Sequence, residues 1–314
     1  MGLSRVPGRS RLPIVNLVLF LATLGTTLFA GAGQVPLPQG GQSLRGFLAA
    51  GLPFAASIVA ILLCHELGHY LLARAYRVDT TLPYFIPVPF GVGTLGAVIR
   101  IRSAMPSRRA VLDIGSAGPI AGFLVAVPLY AWGLAHSRWI PVDDAALGAS
   151  NVGSPWALLR AMLRGETLQA LAGNIELMGD SLVTWGVGRW VLGPTPPGYD
   201  VLVHPVAFAA WIGLFVTTLN LIPIGQLDGG HVLYALLGGR HAQLASRLVS
   251  LALLLCGVFL SWNWLLWWLL TRVVVGLRHP PALAEEPLTP GRRAVALLSL
   301  LLFAATFVPV PFAL

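Results

Sequence analysis

The run His65-Glu66-Leu67-Gly68-His69 sets two imidazoles four residues apart, with a carboxylate directly after the first. On a helix, positions i and i+4 lie one above the other, so both rings can hold one Zn2+. Glu66 stands one position on, where it can take a proton from water at the metal without ligating the metal itself. Two neutral imidazoles, a carboxylate base and an open coordination position are the requirements of zinc-assisted hydrolysis. Catalytic zinc usually has three protein ligands, so another Asp, Glu or His must come from elsewhere in the chain. At the apolar stretches of this sequence the candidates are Asp113, His204, Asp228 and His231.

The elements that must position these groups belong to a membrane protein. Of 314 residues, 56% are hydrophobic and 10% charged, where an ordinary soluble domain carries about 25% charged residues. That excludes a soluble globule, because so few charges would leave its surface apolar. All 20 basic residues are Arg, against 12 acidic ones, giving a net charge of +8. Here the excess reads as membrane orientation and calls for no nucleic-acid partner. Cys64 and Cys256 both lie in apolar runs and read as packing residues.

A bilayer crossing takes about 17–25 apolar residues. Stretches of that kind run over roughly 12–30, 47–73, 110–135, 205–223 and 292–312. The run 244–277 is too long for one crossing, and Asn263 in Ser261-Trp262-Asn263-Trp264 suggests a tight hairpin between two short ones. The expected fold class is an all-α polytopic membrane protein with six or seven transmembrane helices. The first 32 residues also read like a signal peptide, ending Phe29-Ala30-Gly31-Ala32; their apolar core exceeds the usual length, so an uncleaved first span is expected.

With the N-terminus inside, the inner loops hold Arg5, Arg9, Arg11, Arg74, Arg77, Arg100, Arg102, Arg108, Arg109, Arg240, Arg247, Arg272, Arg278, Arg292 and Arg293. The outer loops hold only Arg45, Arg138, Arg160, Arg164 and Arg189. The positive-inside rule then makes the inner side cytoplasmic. Both His65–His69 and the stretch Asn220 to His231 fall on that side. Pro223 and Gly225 break the helix before Asp228, and unwound backbone at membrane depth is tolerated only where it lines protein or a cavity. Asp228 is therefore the preferred third ligand and His231 the weaker choice.

The chain divides into a tail, first span and outer loop (1–46), then second and third spans with an inner β-type loop (47–135). An outward loop follows (136–204), then a fourth span with the break (205–240) and the C-terminal spans (241–314). The outward loop carries Asp143, Asp144, Glu166, Glu176, Asp180 and Asp200, and interfacial helices are expected at 155–172 and 180–192. The inner loop has Pro83, Pro87 and Pro89, then Gly91, Gly93 and Gly96, then β-type residues 97–102. It reads as a short re-entrant β-hairpin or strand near the active site. Gly115, Gly118 and Gly122 read as a packing stripe, and Asp113 as a helix cap or ion-pair partner.

The pairing of His65–His69 with Asn220-x-x-Pro223-x-x-x-x-Asp228-Gly229 resembles the site-2 protease family of intramembrane zinc metalloproteases. Gly93-Thr94-Leu95-Gly96 and Asp113 to Gly122 resemble it as well, and the likeness covers roughly residues 55–240. It implies His65, His69 and Asp228 as ligands of one Zn2+, Glu66 as general base, and Asn220 near the substrate carbonyl. For Asn220, helix–helix hydrogen bonding is the plainer alternative. It further implies a single-span membrane protein as substrate, the lipid bilayer as surroundings, and an active site toward the cytoplasmic side of a bacterial inner membrane. The missing PDZ module brings the chain nearer the minimal and plastid-type branches. Competing readings are a zinc transporter and a catalytically inactive scaffold; a peripheral HExxH protease is disfavoured by inner loops too short for a soluble catalytic domain.

Overall fold

In the computed structural model, residues 13–34, 43–141, 154–164 and 177–313 are described. Arg5, Arg9, Arg11, Asp143, Asp144, Glu166 and Glu176 lie outside them. Helices α1 (Ile14–Ala32) and α2 (Leu44–Ala75) precede strands β1 (Tyr84–Pro87) and β2 (Thr94–Val98). Helix α3 (Arg108–Ala135) and strand β3 (Arg138–Pro141) lead to α4 (Pro155–Leu163), β4 (Leu177–Met178), α5 (Leu182–Leu192) and β5 (Tyr199–Leu202). Then come α6 (Pro205–Leu221), α7 (Asp228–Leu237), α8 (Gly239–Phe259) and α9 (Trp262–Leu270) with a π-helical turn at Thr271–Val275. Helix α10 (Pro290–Thr306) and strand β6 (Phe312–Ala313) close the order.

Among the described residues, α1, α2, α3 and α8 are long and apolar enough to cross a membrane. Helices α6, α9 and α10 are apolar but shorter, at 17, 9 and 17 residues. The protein is thus a helical polytopic membrane protein with only two-stranded sheets. Its helices start where the sequence supplies caps: Ser43, Ser107 and Thr289 accept backbone N–H groups at the starts of α2, α3 and α10. Helix α6 sits at the centre, its residues Ala210, Trp211 and Leu214 packed with Phe54, Ile58 and Ile61 of α2 and Ala126 of α3. It buries 13 of its 17 residues. Helix α1 buries only Thr23, Thr27, Gly31 and Ala32, leaving Ile14, Leu17, Leu21 and Phe29 exposed, as a lipid-facing helix does.

Strands β1 and β2 form an antiparallel hairpin pairing Tyr84 with Val98, Phe85 with Ala97 and Pro87 with Thr94. The hairpin runs along α1. Asn16 Nδ2 donates to the Leu82 and Pro83 carbonyls at 3.0 and 2.9 Å, and Thr26 Oγ1 to the Gly93 carbonyl at 2.6 Å. Asn16 and Thr26 lie about 15 Å apart along a helix, so the hairpin follows α1 over that depth. Gly93 has φ +83° and a Cβ there would strike the Thr26–Thr27 backbone.

Two expectations need correction. The break in 244–277 falls at Leu260-Ser261, and Asn263 lies inside α9. Ser261 is the reason: its Oγ takes the N-cap role, while Trp264 is buried with its Nε1 donating to the Pro309 carbonyl at 2.9 Å. For the segment 136–204 the sequence predicts interfacial helices and no folded β-domain. Its described part also contains the β3–β5 ladder, pairing Arg138 with Leu202, and β4 paired with β6. Two to four residues per strand are too few for alternation to register. The expected helices 155–172 and 180–192 correspond to the shorter α4 and α5.

Arg292 of α10 forks onto Asp113 of α3, Nε at 3.1 and 3.0 Å from the two oxygens and Nη2 at 2.8 Å. The Tyr76 hydroxyl, just past α2, donates to the same carboxylate. Three helix ends thus meet in one partly exposed ion pair. Replacing Arg292 by Gln is expected to destabilise the fold by about 1 kcal/mol, read as a lower midpoint in thermal unfolding of the detergent-solubilised chain.

Candidate metal centre

Helix α2 carries His65, Glu66 and His69 in its C-terminal half, with 3%, 5% and 6% of their surfaces exposed. The four-residue spacing stacks the two imidazoles with ring centroids 5.0 Å apart. Helix α3 crosses them, and its glycine stripe makes the crossing possible. A Cβ on Gly118 would overlap the His69 ring, and one on Gly122 would stand 3.1 Å from His65 Nδ1. On the other side Gly68 of α2 faces the Ala117 carbonyl with no room for a methyl group. The stripe expected as helix packing therefore also forms the wall behind both histidines.

The backbone of α3 orients one of them. His69 Nδ1 lies 2.7 Å from the Ile114 carbonyl, and a carbonyl only accepts, so Nδ1 carries the proton. The neutral ring then turns a lone pair on Nε2 inward.

Asp228 reaches the same point from a break. Helix α6 stops at Leu221, Pro223 has no N–H to continue it, and Gly225 takes φ +54° with the Gly276 carbonyl against it. Helix α7 then begins at Asp228, where the positive helix N-terminus favours a carboxylate. A Cβ on Gly229 would run into the Leu221 carbonyl, and one on Gly230 into the backbone of Ile224 and Gly225. The two glycines let the new helix tuck against the break.

Among the described residues, one set of His, Cys, Asp or Glu could hold a metal ion: His65, His69 and Asp228, with ligand atoms all within 4.8 Å of one another. Asp228 Oδ2 lies 3.3 Å from His65 Nε2 and 3.2 Å from His69 Nε2, and the two Nε2 atoms are 3.2 Å apart. A tetrahedral zinc ion with arms of about 2.0–2.1 Å separates its ligands by about 3.3–3.4 Å. His69 Nε2 and a carboxylate oxygen are two acceptors facing each other, an arrangement that a cation between them makes favourable. The donor set fits zinc in type, number and spacing.

Glu66 stands beside this triangle and outside it. Its carboxylate lies in the field of His69 and Asp228, with the backbone of Ile99, just past β2, beside it. Asn220, near the end of α6, holds its Nδ2 3.2 Å from His65 Nε2. The five residues singled out from the sequence thus come together at one place.

The remaining candidates stand elsewhere. His231 Nδ1 is 2.5 Å from His279 Nε2, His204 caps α6 by accepting from Val206 N, and Asp113 is held by Arg292. Cys64 and Cys256 are free thiols. The Ile114 carbonyl and the His231–His279 pair have no signal in residue spacing, because both depend on how separate segments pack.

The family model described as peptidase family M50 matches residues 53–263. Among curated proteins, the chain is 30% identical over 285 residues to a rice protein, "Probable zinc metalloprotease EGY1, chloroplastic", covering 90% of this chain and 45% of that one. The Arabidopsis thaliana protein of the same name is 30% identical over 320 residues, 95% of this chain and 53% of that one. "Probable zinc metalloprotease EGY2, chloroplastic" of Arabidopsis thaliana is 29% identical over 270 residues, 85% and 43% of the two chains. The chain therefore spans about half the length of the curated relatives it matches. No solved structure matches it.

The contact between Gly118 and His69 yields a test that needs no substrate. Gly118→Ala is expected to weaken zinc binding about tenfold or more, as seen by metal analysis after dialysis against a zinc buffer, with helicity by circular dichroism unchanged. Wild-type zinc affinity in this variant would contradict the geometry.

Proposed function

The chain belongs to peptidase family M50, and from that footing we propose that it is a zinc metalloendopeptidase working inside the membrane. Its substrate class on this reading is a single-span membrane protein, cut within or near its transmembrane segment. The observation that carries the reading is the triangle of His65 Nε2, His69 Nε2 and Asp228 Oδ2 at 3.2–3.3 Å, with a buried carboxylate beside it that is not part of it. A transporter site has no particular use for Glu66 in that position.

His65, His69 and Asp228 would hold one Zn2+. When bound, the ion supplies Lewis-acid polarisation of the scissile carbonyl and makes water acidic enough to attack at neutral pH. Glu66 accepts the proton of the attacking water and later delivers it to the leaving amine. The Asn220 amide, held at the cluster by α6, donates to the carbonyl oxygen as negative charge grows there. Burial of the group excludes competing water and strengthens each of these interactions.

A substrate helix hides its amides in its own hydrogen bonds, so it must unwind before it is cut. The outer edge of β2 offers a strand to which the extended segment adds. Support for this comes from β2 pairing on one side only, with β1, and from the contact between Ile99 and Glu66. The arginine distribution supports an active site toward the cytoplasmic side of the membrane. Release of a membrane-tethered regulator, or clearance of membrane-protein fragments, is the cellular role that the family suggests.

The deciding experiment compares wild type and Glu66→Gln, each reconstituted in vesicles with a single-span substrate. Cleavage is expected to fall by about a hundredfold or more in the variant, while bound zinc stays at the wild-type level. Equal cleavage by both proteins would sink the assignment of Glu66. Asp228→Ala is expected to lose zinc by the same metal analysis; full occupancy there would move the third ligand to another residue.

A further inference from the structure

A cleft of about 630 Å3 opens between the break after α6, the first half of α8 and the π-helical turn. Arg247, Arg272 and Arg278 line it, together with Gln226 and Gln243, and no carboxylate does. Three other arginines on this side are engaged: Arg108 with the Ala235 and Leu236 carbonyls, Arg109 with Glu286, and Arg292 with Asp113. The guanidinium groups of Arg247, Arg272 and Arg278 have no such partner among the described residues. Three like charges around one cleft repel one another unless an anion joins them.

The surroundings say which kind of anion. Leu244, Leu248, Leu251 and Leu255 form an exposed stripe along α8, and Val273 and Val274 stand exposed beside Arg272. Arg247 lies next to that stripe, between Leu244 and Leu251 on the same helical face. A ligand that fills both parts carries a phosphate and long apolar chains. Guanidinium forks match phosphate oxygens in pairs, and basic pockets between transmembrane helices on the cytoplasmic side suit acidic lipid headgroups.

We propose that this cleft binds the headgroup of an anionic phospholipid, with its acyl chains along the leucine stripe of α8. Gln243 and Gln226 supply hydrogen bonds to the uncharged part of the headgroup. Gln226 also belongs to the break that ends at Asp228, so the lipid seats against the segment carrying the third candidate ligand. The site is separate from the metal centre and makes no use of its chemistry.

The test follows the unfolding midpoint of the purified full chain in detergent during titration with dioctanoyl phosphatidylglycerol, dioctanoyl phosphatidylcholine or sodium phosphate. A saturable rise with phosphatidylglycerol is expected, with none from the other two at the same concentrations. In the R247Q/R272Q/R278Q variant the phosphatidylglycerol affinity is expected to fall roughly a hundredfold, about fivefold for each cation removed. An unchanged affinity in that variant overturns the proposal. A saturable response to sodium phosphate equal to that for phosphatidylglycerol overturns the lipid assignment in favour of a free phosphate ligand. If the triple variant does not fold, R272Q alone carries the comparison: a loss of about fivefold supports the site, and wild-type affinity overturns it.

Discussion

Two imidazole nitrogens and a carboxylate oxygen face one another at 3.2–3.3 Å inside a helical membrane protein. The rest of the fold answers that constraint. In water such a group of acceptors would separate and be hydrated; within hydrocarbon, desolvated polar groups cost several kcal/mol each unless a partner is built in. The partners come from three directions. The Ile114 carbonyl fixes the His69 ring from behind, the start of α7 lends its N-terminal dipole to Asp228, and the Asn220 amide closes the group on the α6 side.

Holding these groups together requires backbones to approach more closely than side chains allow. Between α2 and α3 this is done by Gly68 on one helix and Gly118 on the other, each with an atom of the facing helix where its Cβ would clash, and by Gly122, whose Cβ would stand 3.1 Å from His65 Nδ1. At the break, Gly229 and Gly230 do the same for α7 against the end of α6. Association in a membrane gains little from hydrophobic burial and depends on close packing and hydrogen bonds. The glycines therefore set the separation of the helices, and that separation sets the spacing of the ligand atoms.

How much of this could be read from the sequence depends on the range of the interaction. His65, Glu66 and His69 share one helical turn, so their common face follows from helix geometry alone. Asp228 was legible for a related reason, since Pro223 and Gly225 can end a helix wherever they fall. The apolar runs located the helices, though not the place where α8 gives way to α9: Asn263 looked like the turn, but a Ser cap and the burial of Trp264 moved it to Leu260-Ser261. The partners of Asp113 and His231 left no trace. Arg292 and Asp113 are separated by 179 residues, His231 and His279 by 48, and their pairing exists only once α10 and the loop before it have docked. The glycine stripe on α3 was visible as packing, but what it packs against was not.

The β-hairpin presents the remaining physical problem, since strand edges at membrane depth leave unpaired backbone groups. Side chains answer it on one flank. Asn16 and Thr26 of α1 cover the carbonyls of Leu82, Pro83 and Gly93, and Thr94 Oγ1 accepts from Gly96 N at 3.0 Å. Further along, Thr81 Oγ1 accepts from Arg100 N at 3.0 Å. Between these two points the backbone of Ile99 lies beside Glu66. The strand is therefore tied to α1 at its turn and to Thr81 past its end, with Glu66 of α2 beside it. On the proposed reading, a peptide added to β2 takes its register from the same backbone that runs beside the base. The distance from scissile bond to Glu66 is then fixed by strand pairing, whatever side chains the peptide carries.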